Sequence, residues 1–125
     1  MRQTMVTSME FLNYVLEQIA PLPDLRSRRM FGGVGLYCAD VFFGIVSNDI
    51  LYFKVAEDDR AGYEARGMRP FRPYSGRPQV RLTYFEVPAD VLEDGDQCAA
   101  WARRAVAAAM VTRSERSART GKRLR

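Results

Sequence analysis

The sequence predicts a single α+β domain of two layers, in which helices cover an antiparallel five-stranded sheet. Three observations predict this fold: an amphipathic helical pattern opens the chain, short apolar runs follow at close intervals, and an alanine-rich helical pattern comes late. The 125 residues are enough for one core, and a hydrophobic content of 47% is typical of a globular domain. We predict the element order α-β-β-β-α-β-β-α within residues 1–112.

The first helix is predicted over residues 8–20. Its apolar residues recur three and four positions apart, which places them on one face of a helix. Thr7 or Ser8 can cap the first turn with a side-chain oxygen, and Pro21 prevents the helix from continuing. The apolar face consists of Phe11, Leu12, Val15, Leu16 and Ile19.

A glycine-punctuated apolar run over residues 28–38 is predicted to form the first strand. Gly32, Gly33 and Gly35 leave nothing to pack, so we expect a bulge, a bend or a close backbone approach at them. Their spacing matches neither the Walker A pattern nor the dinucleotide-binding pattern. We therefore interpret the three glycines as structural.

Two further strands, over residues 41–46 and 50–55, are predicted to complete a meander with the first. The short connections at 39–40 and 48–49 are typical of tight hairpins between antiparallel strands. Alternation along the third strand puts one set of side chains toward the core. This set is Leu51, Phe53 and Val55.

The second half of the sheet is predicted to follow a short helix over residues 57–66, because acidic residues favour a first turn and Gly67 favours an end. An extended strand over 68–74 contains two prolines, which lack the backbone N–H of a ladder and therefore indicate an edge. A turn at 75–78 leads to the last strand, over 80–87.

The last helix is predicted to follow a single helical turn at 89–92. Asp94 or Asp96 is expected to cap it, and Trp101 is expected to be its one large core anchor. From Arg113 onward the apolar positions stop, so we predict a basic, disordered segment over residues 113–125. The apolar stripe before it consists of Cys98, Trp101, Ala102, Ala105, Ala108 and Ala109.

Charge and composition reduce the number of function classes that the sequence allows. Residues 1–112 hold 13 basic and 14 acidic side chains, a net charge of −1, whereas residues 113–125 hold 6 basic ones and Glu115, a net charge of +5. The chain has no histidine, which removes the commonest general base and metal ligand. We interpret acidic residues 57–59 as a solvated helix cap, and Cys38 and Cys98 more readily as small buried residues than as a disulfide. We predict no enzymatic activity, no cofactor and no metal site.

Arginines with interleaved aromatic residues form the candidate contact surface. On a sheet, such a combination can stack on bases and hold phosphates, whereas arginine on an edge strand also protects against aggregation. The predicted strands over 68–74 and 80–87 form a hairpin, which we call the contact hairpin. Its aromatic residues are Phe71, Tyr74, Tyr84 and Phe85. The basic residues that we select as candidate nucleic-acid or partner contacts are Arg69, Arg72, Arg77, Arg81, Arg113, Arg116, Arg119, Lys122 and Arg123.

Four motifs in this order resemble the N-terminal domain of the TfoX/Sxy family of bacterial competence regulators: residues 29–37, 51–55 and 83–88, and the late Trp101. The resemblance covers residues 8–112 and implies the same α+β order. It also implies a non-enzymatic regulatory or protein-interaction domain like that of competence and transcription regulators. The alternative, which the arginine and aromatic residues suggest, is nucleic-acid binding through residues 69–81 and the basic segment.

Partner and location follow from the same considerations. We expect an unidentified protein partner and self-association into a homodimer, since a meander has free edges. No apolar run approaches the roughly 20 residues of a membrane helix, and the first residues lack a secretory signal pattern. The expected location is therefore cytoplasmic, without a membrane partner.

Overall fold

The helices and strands follow one another as α-β-β-β-β-α-β-α-α in the computed structural model. It describes residues 7–30, 32–72 and 83–123, of which 116 and 118–123 are described by their backbone alone. The elements are α1 (Met9–Gln18), β1 (Leu25–Met30), β2 (Gly33–Cys38), β3 (Val41–Ser47), β4 (Ile50–Lys54), α2 (Glu57–Ala65), β5 (Tyr84–Glu86), α3 (Ala89–Leu92) and α4 (Gly95–Arg123).

In this described part, the five strands form one antiparallel sheet in the order β1-β2-β3-β4-β5. The predicted fold class is confirmed, but the prediction of a single strand over 28–38 is wrong. The chain reverses between β1 and β2, where Gly32 has a φ of +85° that favours glycine. Strand β1 is exposed along most of its length, so no hydrophobic alternation marked its first residues as a strand.

The hairpins predicted at 39–40 and 48–49 are confirmed. Ala39 and Asp40 have φ values of 49° and 69°, and Asn48 and Asp49 have 55° and 59°. Two successive residues with positive φ match the twist of antiparallel strands in a two-residue turn. The Asp49 side chain also accepts a hydrogen bond from the Ser8 N–H at 2.7 Å, which links the start of α1 to this turn.

The main core lies between one face of the sheet and helices α1 and α4. Phe43 and Phe53 are fully buried on this sheet face, and the predicted core set of Leu51, Phe53 and Val55 is buried as expected. Cys38 and Cys98 are buried with free thiols. Small residues on α4 let that helix lie close to the strands; they are Ala99, Ala102, Ala105 and Ala109.

A second, smaller cluster lies under α2 and contains Val55, Tyr63 and Phe85, with Trp101 packed against it. The Tyr63 ring lies 5.9 Å from that of Phe85 and 5.1 Å from that of Trp101, measured between ring centres. Phe85 is therefore a core residue, with 2% of its surface exposed, and not a member of the predicted contact hairpin.

Helix ends follow the predicted caps. The Ser8 hydroxyl accepts a hydrogen bond from the Phe11 N–H at 3.1 Å, and the Asp94 carboxylate accepts one from the Gln97 N–H at 3.1 Å. Helix α4 continues to Arg123, whereas the sequence predicted disorder from Arg113. Alanine and arginine are good helix formers, and extending an existing helix needs no new nucleus.

The predicted edge strand over 68–74 is not a regular strand in its described residues. Pro70 forms an isolated bridge to Phe85, the Phe71 N–H donates to the Tyr84 carbonyl at 2.7 Å, and the Arg69 carbonyl accepts from the Glu86 N–H at 2.9 Å. The segment therefore lies along β5 as predicted for an edge, but a proline interrupts the ladder. The turn at 75–78 and the start of the last strand lie outside the described residues.

Within the described ranges, no helix is both long enough and apolar enough to cross a membrane.

Candidate functional site

The face of the sheet that points away from α1 and α4 carries a row of aromatic side chains. Side chains alternate along each strand, so the neighbours of the buried core residues point to this side. Among the described residues, the helices bury their apolar faces in the two clusters on the other side. We call this surface the open sheet face; its aromatic residues are Tyr37, Phe42, Tyr52, Phe71 and Tyr84.

These rings contact one another along this face of the sheet. Ring centres are 5.3 Å apart for Tyr37 and Phe42, and 5.5 Å apart for Phe42 and Tyr84. Tyr52 and Phe71 meet edge to face at 5.0 Å. All five are partly exposed, so they form an apolar surface held by the strands and by the segment beside β5.

Gly35 makes room for a thioether on this surface. A side-chain carbon at Gly35 would lie 2.9 Å from the Met30 sulfur and 3.1 Å from the Phe42 ring. Met30 is 40% exposed and lies at the end of β1. The open sheet face therefore combines aromatic rings with an accessible methionine.

Basic residues surround the aromatic row. In the register of β1 against β2, Arg26 and Arg28 lie opposite Tyr37 and Gly35, so both belong to the open sheet face, and both are exposed. The Lys54 ammonium lies 5.6 Å from the centre of the Tyr84 ring and donates to the Thr83 hydroxyl at 3.1 Å.

The Tyr52 phenol shows the mixed electrostatics of this face. Burial and the charge of Glu86 raise its pKa, while Arg69 acts in the opposite direction. Glu86 is opposite Tyr52 in the pairing of β4 with β5. The phenol is therefore neutral near pH 7 and can donate or accept a hydrogen bond.

The structure brings only part of the predicted arginine series to this face. Arg69 lies beside β5 through its backbone bond to Glu86, and Arg72 is exposed next to Phe71. Arg77, Arg81 and Tyr74 lie outside the described residues.

The predicted contacts of the basic segment lie on α4. Arg113 is exposed, and the backbone places Arg116, Arg119, Lys122 and Arg123 along the same helix. Positions 113, 116, 119 and 123 recur at three and four residues, which places them along one side. Sequence reasoning did not select Tyr37, Phe42 and Tyr52, although their alternation with core residues was a usable signal.

A cleft of about 420 Å³ lies between α2 and α4. Tyr63 and Trp101 provide its aromatic wall, where their rings meet edge to face. Sequence reasoning did not select this cleft, since its residues come from separate helices. The lining residues are Lys54, Asp59, Gly62, Tyr63, Arg66, Trp101, Arg104 and Ala105.

Two ion pairs border the cleft. The Arg104 guanidinium donates to Asp59 through Nε at 3.2 Å and Nη2 at 2.5 Å, and this bonding raises the pKa of Arg104. Asp59 therefore joins α2 to α4, whereas the sequence suggested only a solvated cap. Arg66 Nη2 donates to both oxygens of Asp90 at 2.7 Å, which lowers the pKa of that carboxyl group.

Arg66 also contacts the aromatic wall. Its guanidinium carbon lies 5.7 Å from the centre of the Trp101 ring, within range of a cation–π interaction. Burial and the nearby Asp59 charge raise the pKa of Tyr63 well above its ordinary value. The cleft thus pairs a neutral aromatic wall with a charged rim.

Reactive groups in the described residues are few. No group of three or more histidine, cysteine, aspartate or glutamate side chains there is arranged to hold a metal ion. Burial raises the pKa of Cys98 to about 11, and burial with the charge of Asp24 raises that of Cys38. Both thiols are therefore protonated near pH 7, which disfavours nucleophilic chemistry.

Comparison with known proteins identifies the family. The model of the TfoX N-terminal domain matches residues 17–109. Over 77 residues, or 62% of this chain, the sequence is 31% identical to a protein of Aliivibrio fischeri named DNA transformation protein TfoX1. The match spans 35% of that protein's length. The strands that carry the aromatic residues of the open sheet face, the cleft and most of the packed part of α4 fall within the family match. The chain belongs to the TfoX N-terminal domain family.

Proposed function

We propose that this chain is a non-catalytic regulatory domain that acts by binding a protein partner through the open sheet face. The observation that carries the proposal is the row of partly exposed rings from Tyr37 to Tyr84, with Met30 at its border. Tyrosine, phenylalanine, methionine and arginine are the residue types that are enriched in the cores of protein interfaces. The name of the Aliivibrio relative supports a role connected with DNA transformation.

The chemistry of the chain favours binding over catalysis. It has no histidine, and burial keeps the thiols of Cys38 and Cys98 protonated. Arg66 lowers the pKa of the Asp90 carboxyl group, which makes it a poor proton donor, and Asp59 is held in an ion pair with Arg104. These features support a module that recognises a partner with a preformed surface.

The geometry of the open sheet face also supports a preformed contact. Four of its rings project from paired strands, and Phe71 projects from the segment bonded to β5. The rings already contact one another, so they lose little freedom on binding. The arginines of β1 add a basic border that suits acidic residues around an apolar centre. The edge strand β1 could also pair with a second copy of this chain. The charged side chains of β1 oppose such edge pairing.

Two methionines of similar exposure provide a matched test. Met30 borders the open sheet face and is 40% exposed, while Met110 lies on α4 and is 54% exposed. Tagged wild-type chain, Met30→Glu and Met110→Glu are used for affinity purification from lysate with and without nuclease. Every captured protein is then measured again with purified components.

We expect a partner that binds wild type and Met110→Glu, is lost with Met30→Glu, and is unaffected by nuclease. A partner retained equally by all three chains would place the contact elsewhere. Loss after nuclease treatment would favour nucleic acid, and a mass above 14.3 kDa in light scattering of the purified chain would reveal self-association.

Nucleic-acid binding is the second candidate, and the helical course of the basic segment favours it. Residues 113–125 carry a net charge of +5, and the helix aligns several of their basic positions. Binding by such a segment would depend on counterion release, so it would show little sequence preference and weaken steeply with salt.

Gel-shift titrations at two salt concentrations compare the whole chain with one truncated after Thr112. We expect truncation to abolish this binding and to change the melting temperature little, because Arg113, Ser114 and Glu115 are exposed. If the truncated chain binds with the same affinity, residues 69–81 and the open sheet face become the contact surface.

A further inference from the structure

We propose that the cleft between α2 and α4 binds a small planar aromatic molecule that carries one carboxylate or phosphate group. Such a ligand would make the domain responsive to a metabolite, a property that goes beyond partner binding by the open sheet face. The cleft volume of about 420 Å³ falls in the range of small-molecule sites. Its walls and charges specify the chemistry of the ligand.

The aromatic wall selects a planar group. Tyr63 and Trp101 meet edge to face with ring centres 5.1 Å apart, and Ala105 adds only a methyl group to the lining. Tyr63 is buried while Trp101 remains partly exposed. A flat apolar ring can therefore contact the exposed part of Trp101 without displacing a core side chain.

The rim selects an anion. Arg66 and Arg104 contribute two guanidinium groups to the lining, where Asp59 is bound to Arg104, and Asp90 is bound to Arg66 at the border of the cleft. A guanidinium carries five N–H donors, and among the described contacts Arg104 uses only Nε and Nη2 while Arg66 uses only Nη2. Each arginine thus keeps donors for a ligand carboxylate or phosphate while it remains bound to its aspartate.

Gly62 lines the cleft although glycine lowers the stability of helix α2. This residue lies inside α2, where glycine is less stable than alanine. A side-chain carbon placed there would meet nothing within 4 Å, whereas Gly33, Gly35 and Gly44 each have a close neighbour that excludes one. Packing therefore does not require glycine at position 62, but a side chain there would project beside the cleft that Gly62 lines.

The single tryptophan of the chain gives a direct reporter. The indole N–H resonance of Trp101 is followed by NMR during titration with AMP and with naphthalene-2-carboxylate, two planar probes that carry different anions. Adenosine and naphthalene-2-carboxamide are the matched uncharged probes. We expect a saturable shift with at least one anionic probe and about tenfold or more weaker binding of its uncharged match.

Two pairs of variants locate the binding. Gly62→Leu should abolish the saturable shift by filling the cleft, while Ala61→Leu on the exposed side of α2 should preserve it. Arg104→Gln should weaken the anionic probe about tenfold or more, whereas the exposed neighbour Arg103→Gln should leave its affinity unchanged. Circular dichroism checks that each variant is folded, and the arginine pair tests the site even if Gly62→Leu does not fold.

The proposal is overturned if neither anionic probe gives a saturable shift, if folded Gly62→Leu binds as wild type does, or if Arg104→Gln and Arg103→Gln bind equally. Met30 lies outside the cleft, so the effect of Met30→Glu on partner binding does not depend on whether the cleft binds a ligand. The two proposals can therefore fail separately.

Discussion

Replacing Gly33 by alanine is expected to destabilise the domain although it adds only one methyl group. That methyl carbon would lie 2.5 Å from the Val46 carbonyl oxygen and 3.2 Å from Cβ of Ser47. The nearest atom belongs to the backbone of β3, which is paired with β2 on one side and β4 on the other. The contact can therefore be relieved only by moving paired strands.

Two costs set the magnitude. Overpacking of this kind costs about 1–3 kcal/mol. Moving Ser47, which is 2% exposed, also strains its 2.7 Å hydrogen bond to the Gly32 carbonyl, and such a bond contributes about 0.5–1.5 kcal/mol net. We expect a loss of about 2–4 kcal/mol in the free energy of unfolding, or roughly 8–16 °C in melting temperature at about 4 °C per kcal/mol.

Urea titration and thermal melting of Gly33→Ala measure this loss. Gly62→Ala is the control, since nothing lies within 4 Å of the added carbon and a helix interior favours alanine by about 0.5–1 kcal/mol. The two variants should thus change stability in opposite directions. An unchanged urea midpoint for Gly33→Ala would refute the reasoning, because it would mean that β2 and β3 separate at little cost.

Three other changes test local features of the fold. Ser8→Ala removes the oxygen that accepts the Phe11 N–H and should cost about 1 kcal/mol by urea titration, since the backbone bond to Asp49 remains; no change would contradict the cap. Gly67→Ala should cost about 1–2 kcal/mol because φ is +76°, and an unaltered melting temperature would show that the turn relaxes. Burial raises the pKa of Cys98 from 9.0 to about 11, so its protonated thiol stabilises the fold below pH 9 and that contribution is lost by pH 11. Between pH 9 and pH 11, Cys98→Ala should therefore lose less free energy of unfolding than wild type in denaturant titrations. Equal losses would count against a raised pKa of Cys98.

Local sequence signals predicted the helices and hairpins well. Ser8 and Asp94 are placed directly before apolar helical patterns, and each caps its helix through a hydrogen bond within a few residues. The turns at 39–40 and 48–49 also depend on their own residues. These features could be predicted because the atoms that determine them are close along the chain.

Strand β1 was missed because its stability does not come from its own hydrophobic pattern. Residues from Leu25 to Met30 are mostly exposed, and they form a strand by pairing with β2 after the turn at Gly32. The hydrophobic pattern also failed to predict α4 beyond Thr112, because the helix continues there without an apolar stripe.

The sequence by itself determined the family, the α+β class and the residues that start and end most elements, because these depend on motifs and on neighbours along the chain. Only the tertiary structure decided that Tyr37, Phe42, Tyr52 and Tyr84 share one face, and that Arg104 reaches Asp59 across 45 positions. Those arrangements follow from strand register and from the packing of α2 beside α4, which distant residues set together.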